Sequence, residues 1–393
     1  MKIADVSEFY SPTGGGVRSY VHHKLEFAAR LGHDLTIIAP GSETRIENLR
    51  GGRISWVKAP LLPFDHNYRM FWNASDVWHA LENAAPDIVE GSSPWRGGWL
   101  AAQWPGAAAK ILFMHSDPIA SYPQNLLAGV VSRETVDRLC SPFWFYLRRL
   151  NSHFDATVVT GEWLSGRFSA LGLKHVHSVP LGIDHHAFRP ELRDAGIRRG
   201  MLASCGLDEE AALLIAVGRH HPEKRLGMLI RATGLVQKDR PAGLYIIGDG
   251  MIRRSVEARA ATVPHIHVAG RVDDAAKLGR MMASADLLVH GCASETFGLV
   301  VAEALCSGTP VVVPDAGGAA DLADPTCSEV YPTGDAAAAS RAILNLLSRD
   351  RETLSRACVA AASARVSTVE RHFANLFDLY ESVARAKTIP AAA

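Results

Sequence analysis

The sequence predicts an α/β protein built from two doubly wound domains. Short apolar runs alternate with longer helix-like segments along most of the 393 residues, as expected when strands and helices alternate. Several runs are continuous stretches of Val, Ile and Leu, which is typical of strands in a parallel sheet covered by helices on both faces. The alternation pauses once, where Pro and Gly residues around 180–190 lead into a charged segment at 191–200. That pause indicates a domain boundary.

The candidate strands are short apolar runs bounded by turn residues. In the first half they are 36–39, 54–57, 87–90, 110–115, 157–160 and 176–180. In the second half they are 213–218, 244–248, 266–270, 287–290 and 310–314. A last amphipathic helix is expected over 369–386, because its apolar residues share one broad face. We therefore divide the chain into an N-terminal domain, 1–184, a C-terminal domain, 185–367, and a terminal segment, 368–393.

Composition excludes several classes of protein. Lys and Arg together number 41, as do Asp and Glu, so the formal net charge is zero, which argues against a nucleic-acid-binding protein. None of the six cysteines forms a C-x-x-C pair, which argues against zinc ribbons and thioredoxin-type sites and favours a reducing compartment. The N-terminus lacks the apolar core of a signal peptide, and no apolar run approaches the ~20 residues that span a bilayer. The expected location is cytoplasmic.

The stretch 294–312 carries the most informative pattern. It places Glu295 and Glu303 eight positions apart, after one candidate strand and before another. The run 297–306 is expected to form a short helix closed by Gly308. The free amides of Phe297, Gly298 and Leu299 would then point into a crevice, where a helix N-terminus suits an anion such as a phosphate. Glu303 falls about two turns into an apolar helix, where a charge is costly unless it is paired or ligand-bound.

This stretch resembles the paired-glutamate signature of the retaining family-4 glycosyltransferases, also called group 1, which have the GT-B fold. The resemblance implies two Rossmann-like domains that face each other across a cleft. It implies that Glu295 contacts hydroxyls of the donor sugar, that Glu303 binds the ribose, and that the amides between them contact the sugar and the diphosphate. It also implies that the last helix packs back on the N-terminal domain.

A second stretch, 216–224, begins at the end of a candidate strand, the usual edge for ligands in open α/β sheets. From there, Arg219 and Lys224 could both reach one diphosphate, which needs cations because its negative charge grows as it leaves. The stretch is similar to the family's Gly-Arg…Lys diphosphate motif. In that motif a Gly usually follows the Lys, whereas this chain has Arg225.

The glycine-rich stretch 14–16 precedes a helical run that extends to Leu31. A nicotinamide dinucleotide fold is one alternative, but Gly14-x-Gly16-x-x-Ser19 lacks the third Gly of that fingerprint. The loop resembles instead the family's N-terminal Gly-Gly loop, which implies that Gly15 and Gly16 face the donor sugar.

Further candidates lie where other strands end. His115 closes a strand and Asp117 follows it; the resemblance places a His here, near the leaving-group side of the donor sugar. A lone His is otherwise more often structural. Loops at 248–250 and 270–272 resemble those that border the nucleotide base, which implies donor contacts for Gly248, Arg271 and Val272.

The sequence predicts neither a catalytic metal nor a cofactor. No two Asp residues are spaced i, i+2, so the Asp-x-Asp motif of metal-dependent glycosyltransferases is absent. The segment 142–149 combines aromatic residues with two Arg. It allows a peripheral contact with the inner face of a membrane, although a buried helix with an exposed basic end explains it as well.

The function expected from these motifs is metal-independent, retaining transfer of a hexose. The donor would be a nucleotide-diphosphate sugar, with GDP-mannose favoured over a UDP-hexose. The acceptor would be a hydroxyl of a sugar, a lipid-linked molecule or another small molecule. The alternatives are a nucleotide-sugar 2-epimerase of the same fold, which would convert the donor alone, and a catalytically silent nucleotide-sugar-binding protein.

Overall fold

The computed structural model describes residues 1–12, 16–63, 65–127 and 131–388. Its first large sheet has eight strands in the order β10-β9-β8-β7-β1-β2-β4-β3. All neighbours are parallel except β3, which pairs with β4 in the antiparallel direction. The strands are β1 Lys2–Val6, β2 Asp34–Gly41, β3 Arg45–Leu49, β4 Gly52–Lys58, β7 Ile88–Gly91, β8 Ala109–Met114, β9 Ala156–Val159 and β10 Val176–Ser178. A small antiparallel pair, β5 Leu61–Leu62 and β6 Asp65–Arg69, stands apart from it.

The second large sheet has six parallel strands in the order β14-β13-β12-β15-β16-β17. They are β12 Ala212–Val217, β13 Ala242–Ile247, β14 Ile266–Gly270, β15 Leu287–Val289, β16 Val311–Pro314 and β17 Ser328–Tyr331. β15 and β16 are wholly buried, as expected for strands with helices on both faces. The two doubly wound sheets confirm the predicted fold class.

Helices follow most strands and cover the sheets. In the first half they are α1 Gly16–Arg30, α2 Ala74–Ala84, α3 Arg96–Gln103, α4 Pro118–Ser121, α5 Pro123–Leu126, α6 Arg133–Leu139, α7 Ser141–Asn151 and α8 Glu162–Ala170. In the second they are α9 Ala195–Ser204, α10 Leu226–Val236, α11 Arg253–Ala260, α12 Ala275–Ser284, α13 Leu299–Cys306, α14 Gly318–Asp321, α15 Ala336–Leu347, α16 Arg351–Arg365 and α17 Val369–Thr388. Pro190–Leu192 and Pro222–Lys224 form 3-10 turns. No helix in the described part of the chain combines the length and hydropathy that a membrane crossing needs.

The chain passes between the two sheets twice, and the two crossings pair with each other. β11 Gly182–Ile183 and β18 Ser367–Thr368 form a short parallel ladder. A Cβ atom on Gly182 would lie 2.2 Å from the Thr368 carbonyl oxygen, so a larger residue cannot take its place without moving the second crossing. After β18, α17 packs on the first sheet, where Phe373, Leu376 and Phe377 join its buried core.

A buried charged cluster lies under α17. The Lys24 ammonium of α1 donates to Asp5 of β1 at 2.9 Å and to Glu90 of β7. Ser92 bridges the two carboxylates at 2.6 and 2.8 Å, and the Tyr380 hydroxyl of α17 donates to Glu90. Burial alone would lower the pKa of Lys24, but the two carboxylates raise it above its ordinary value. The cluster therefore joins α17 to the centre of the first sheet through charged hydrogen bonds.

Candidate active site

The carboxyl ends of the central strands of both sheets face one cleft. Among the hydrogen bonds between described residues that cross it, three lie near Glu295. Thr296 Oγ1 donates to the His115 carbonyl oxygen at 3.2 Å, Asn125 Nδ2 donates to Ser294 Oγ at 3.0 Å, and Arg225 Nη2 donates to Asn125 Oδ1 at 2.9 Å. These contacts bring the loop after β8 next to the loop after β15. The sequence had placed both loops at strand ends without showing that they meet.

Lys224 and Glu295 form an ion pair at the centre of the site. Burial alone would lower the pKa of Lys224, but the Glu295 carboxylate raises it above its ordinary value. Burial would likewise raise the pKa of Glu295, yet Lys224 keeps it below its ordinary value. Both groups are therefore charged at neutral pH. Glu223 Oε1 lies 3.9 Å from Lys224 Nζ, so the ammonium is oriented from two sides.

His290 and Cys292 lie beside Glu295 and were not predicted as site residues. His290 Nε2 is 3.5 Å from Glu295 Oε1 and has no hydrogen-bond partner among the residues that the structure describes. Burial lowers the pKa of His290 to about 4 and raises that of the Cys292 thiol to about 11, so both are neutral at pH 7. A His at the carboxyl end of an apolar strand is the same signal that singled out His115.

The His290, Cys292 and Glu295 ligand atoms all lie within 4.8 Å of one another, as a metal site would require. The oxygen of Glu295 that faces His290 is also the one that accepts from the Lys224 ammonium. A cation entering this cluster would have to displace that ammonium, and the absence of a catalytic metal stays a prediction.

The loop from Glu295 to α13 is held in a conformation that presents backbone amides. Gly298 has φ 91° and is the N-cap of α13. A Cβ atom there would lie 3.1 Å from Ala319 Cα, so both the backbone angle and the packing favour glycine. The amides of Phe297, Gly298 and Leu299 have no hydrogen-bond acceptor among the described residues. α13 begins two residues later than expected, so Glu303 lies about one turn into it instead of two.

Glu303 is a carboxyl group without a partner. No hydrogen bond or ion pair to its side chain occurs in the described part of the chain. Burial raises its pKa to about 8. A carboxyl group in such surroundings is typical of a position that waits for hydrogen-bond donors from a ligand.

The remaining residues predicted to contact the donor do not share one environment. Arg219 projects into solvent, with its side chain 81% exposed and 3.9 Å from Glu223. Gly248 packs on Gly218 so closely that a Cβ atom would lie 1.9 Å from the Gly218 carbonyl oxygen. Arg271 is exposed and pairs with Asp273 at 2.6 Å, and Val272 is half-buried. Gly16 begins α1, while Gly15 lies outside the described residues.

His115 and Asp117 differ in burial and in their partners. His115 is half-buried against Phe113 and Tyr20, with ring centroids 4.4 and 5.4 Å away. Burial lowers its pKa to about 4, so it is a neutral imidazole. Asp117 is fully buried; it accepts from the amides of Ile119 and Ala120 and pairs with Arg167. Asp117 therefore caps α4 and is not exposed to the cleft.

A cleft between two doubly wound sheets, bordered by the carboxyl ends of their strands, is typical of a GT-B glycosyltransferase, and similar proteins belong to the same class. Residues 14–187 match the model described as glycosyltransferase family 4, and residues 211–349 match the model described as glycosyl transferases group 1. A GDP-mannose-dependent alpha-mannosyltransferase of Mycobacterium tuberculosis is 30% identical over 334 residues, which cover 83% of this chain and 82% of that protein. The chain belongs to the group 1, family-4 glycosyltransferases and is a hexosyltransferase.

Two further matches extend this comparison. A GDP-mannose-dependent alpha-(1-6)-phosphatidylinositol dimannoside mannosyltransferase of Mycobacterium tuberculosis is 28% identical over 316 residues, or 80% of this chain and 79% of that protein. A solved structure of sucrose-phosphate synthase from Thermosynechococcus elongatus superposes with a TM-score of 0.76 at 18% identity, covering 98% of this chain and 99% of that one. The structural match supports the GT-B fold.

Proposed function

We propose that this protein transfers a mannosyl group from GDP-mannose to an acceptor hydroxyl, with retention of configuration and without a catalytic metal. The observation that carries the proposal is the arrangement of the Lys224–Glu295 ion pair, the free amides before α13 and the unpartnered Glu303 along one edge of the second sheet. The cation and the amide donors suit a diphosphate, and the two carboxylates suit the hydroxyls of a sugar and of a ribose. The names of the two mannosyltransferase relatives favour GDP-mannose as the donor.

Each residue has a role in this proposal. Lys224 and Arg219 stabilise the departing diphosphate, and the amides of 297–299 assist them. Glu295 accepts from hydroxyls of the donor sugar, and Glu303 accepts from the ribose. Gly248, Arg271 and Val272 border the base, Gly15 and Gly16 approach the sugar, and neutral His115 lies at its leaving-group side. The domain bounded by 1–184 would hold the acceptor, and that bounded by 185–367 would hold the donor.

The proposed reaction is a displacement on one face of the sugar. The bond from C1 to the β-phosphate oxygen breaks, and the acceptor oxygen forms its bond to C1 on the same face. The acceptor proton passes to an oxygen of the departing diphosphate. Lys224 acts on the negative charge that grows on that group, because a fixed cation stabilises the transition state more than the ground state.

We expect donor binding to depend on the ionisation of Glu303. Ribose hydroxyls that donate to this carboxyl favour its charged form, so GDP binding should release a proton when the free carboxyl is protonated. GDP affinity should rise with pH by up to about tenfold per unit below about pH 8 and level off above it. Calorimetric titration in buffers of different ionisation enthalpy measures this proton release. The Glu303→Gln variant should lose this proton release. If GDP affinity rose with pH as steeply in that variant, another group would be responsible.

Product analysis tests the proposal itself. Purified protein is incubated with GDP-mannose and EDTA, with and without a panel of sugar and lipid-linked acceptors, and the products are examined by NMR. We expect an α-linked mannoside only when a suitable acceptor is present. Conversion of the donor alone into a 2-epimer would favour the epimerase, and loss of turnover in EDTA would contradict the metal-free reaction.

A further inference from the structure

A cavity of about 440 Å³ lies in the cleft next to the site and carries two arginines. Arg133, the first residue of α6, lines it from the N-terminal half, and Arg225, at the start of α10, lines it from the C-terminal half. Ala293 and Ser294 form part of its wall and lead directly into Glu295. A molecule in this cavity would therefore reach the position proposed for the donor sugar from the side of β16 and β17.

Arg133 is a half-buried cation that forms no ion pair with a described carboxylate, although the charges of Asp315 and Glu134 act on it from a distance. Its guanidinium makes no hydrogen bond or ion pair within the ranges that the structure describes. Burial, with the nearby charge of Arg225, lowers its pKa below the ordinary value. An anion in the cavity would relieve both the desolvation and the repulsion.

Arg225 is held toward the same cavity by contacts on both sides of the cleft. Its Nη1 donates to the Gly291 carbonyl oxygen at 3.2 Å, and its Nη2 donates to Asn125 Oδ1 at 2.9 Å. Neither partner is charged, so the positive charge of Arg225 remains uncompensated by them. The side chains of Lys224 and Arg225 point to different partners, because Lys224 pairs with Glu295 and Arg225 contacts Asn125.

The backbone of Arg225 is strained. Its φ is 47°, in the left-handed region that glycine adopts freely and that costs other residues about 1 kcal/mol. A glycine would satisfy this turn, as the resemblance to the family motif implies. The chain has an arginine here, whose side chain reaches across the cleft to Asn125.

The charges lining the cavity favour an anion. Besides the two arginines, Asp315 is the one charged residue among the described residues of its wall, and Asp315 Oδ1 already accepts from the amide and the hydroxyl of Thr333 at 3.0 and 2.6 Å. The lining therefore has a net charge of about plus one, with guanidinium donors from two sides. Arginine pairs of this kind are typical of phosphate recognition.

We propose that this cavity binds a phosphate ester group carried by the acceptor. The inference rests on the proposed function, because it assumes that the donor occupies the neighbouring Lys224–Glu295 site. It specifies the acceptor as a phosphate ester that also carries the reacting hydroxyl, either free or as the headgroup of a lipid. Both sources present the same phosphate ester to Arg133 and Arg225.

The first experiment titrates inorganic phosphate into protein saturated with GDP, so that the diphosphate site is already filled. We expect saturable binding, measured as a rise in Tm with phosphate concentration, since a ligand of the folded state stabilises it. Arg133→Gln and Arg225→Gly should each weaken this binding at least about tenfold. The Arg225→Gly variant should fold, because glycine adopts this backbone angle without strain.

Arg138→Gln is the matched control, because Arg138 is an exposed residue of the same helix outside the cavity. It should keep the phosphate response. Absence of saturable phosphate binding in the GDP-bound protein, or equal weakening in Arg138→Gln, would overturn the proposal. Failure of GDP to bind would instead contradict the proposed function.

A second experiment separates the two sources of the phosphate ester. The GDP-bound protein is tested against myo-inositol 1-phosphate with myo-inositol as its unphosphorylated control, and against phosphatidylcholine vesicles with and without phosphatidylinositol. Preference for the free ester indicates a soluble acceptor, and preference for the phosphatidylinositol vesicles indicates a lipid-linked one. Either preference should disappear in Arg133→Gln; a preference that persists in that variant would overturn the proposal.

Discussion

Replacing Lys224 with alanine is expected to lower kcat for sugar transfer about 100- to 1,000-fold. In the proposed reaction Lys224 is the fixed cation that acts on the leaving diphosphate, and the Glu295 carboxylate raises its pKa, so it is charged at neutral pH. The variant also leaves the Glu295 carboxylate without its ion-pair partner. The Glu295 carboxyl should then titrate at a higher pH than in the unmodified enzyme, which adds a pH dependence beyond that expected from Glu303.

Steady-state kinetics with the donor and a working acceptor measure this effect. Lys238→Ala is the matched control, because Lys238 is an exposed lysine of the same half of the chain. Its kcat should be unchanged. Circular dichroism and Tm should show that Lys224→Ala folds. A folded Lys224→Ala variant with near-normal kcat would mean that the diphosphate lies elsewhere.

Replacing Lys24 with methionine is expected to lower the free energy of unfolding by about 3–5 kcal/mol. Lys24 is fully buried between Asp5 and Glu90. Removing the ammonium leaves two neighbouring buried carboxyl groups without a compensating charge, and this costs far more than the loss of a surface pair. Burial and the nearby Glu90 charge already raise the pKa of Asp5.

Urea denaturation of Lys24→Met and Lys387→Met measures the difference. Lys387, on the same helix as Tyr380, pairs with Asp155 at 2.8 Å but is partly exposed, so its loss should cost at most about 1 kcal/mol. If Lys24→Met does not fold, Tyr380→Phe tests the same cluster by removing only the hydroxyl that donates to Glu90. Equal stability of Lys24→Met and Lys387→Met would contradict this account of the cluster.

Local patterns sufficed to predict the continuous apolar strands of both sheets. They missed β1, β3 and β17, whose sequences KIADV, RIENL and SEVY contain charged residues instead of a continuous apolar run. Asp5 is buried in β1 because Lys24 neutralises it from a helix that begins ten residues after the strand. Such a pair forms only in the folded chain, so no single segment indicates it.

In the site, too, local patterns predicted some residues, whereas others depend on long-range contacts. Glu295, Lys224 and Glu303 were singled out by a charge within apolar surroundings or by strand-end position, both of which are local signals. The contact of Arg225 with Asn125 joins residues 100 positions apart and depends on how the two halves face each other. His290 could have been found by its strand-end position, whereas Arg133 carries no local signal. The remaining features of the site depend on contacts across the cleft between residues far apart in the sequence, which local patterns do not indicate.

The most direct measurement is the effect of nucleotide sugars on Tm. The panel is GDP-mannose, UDP-glucose, UDP-galactose, UDP-N-acetylglucosamine, GDP, UDP and NAD, each with and without EDTA. GDP-mannose and GDP should each raise Tm, and each shift should be the same with and without EDTA, because a ligand that binds the folded protein stabilises it. Both shifts should be lost in a Glu303→Ala, Lys224→Ala double variant. A shift with NAD alone, or with no nucleotide, would contradict the assignment of this cleft to a nucleotide-sugar donor.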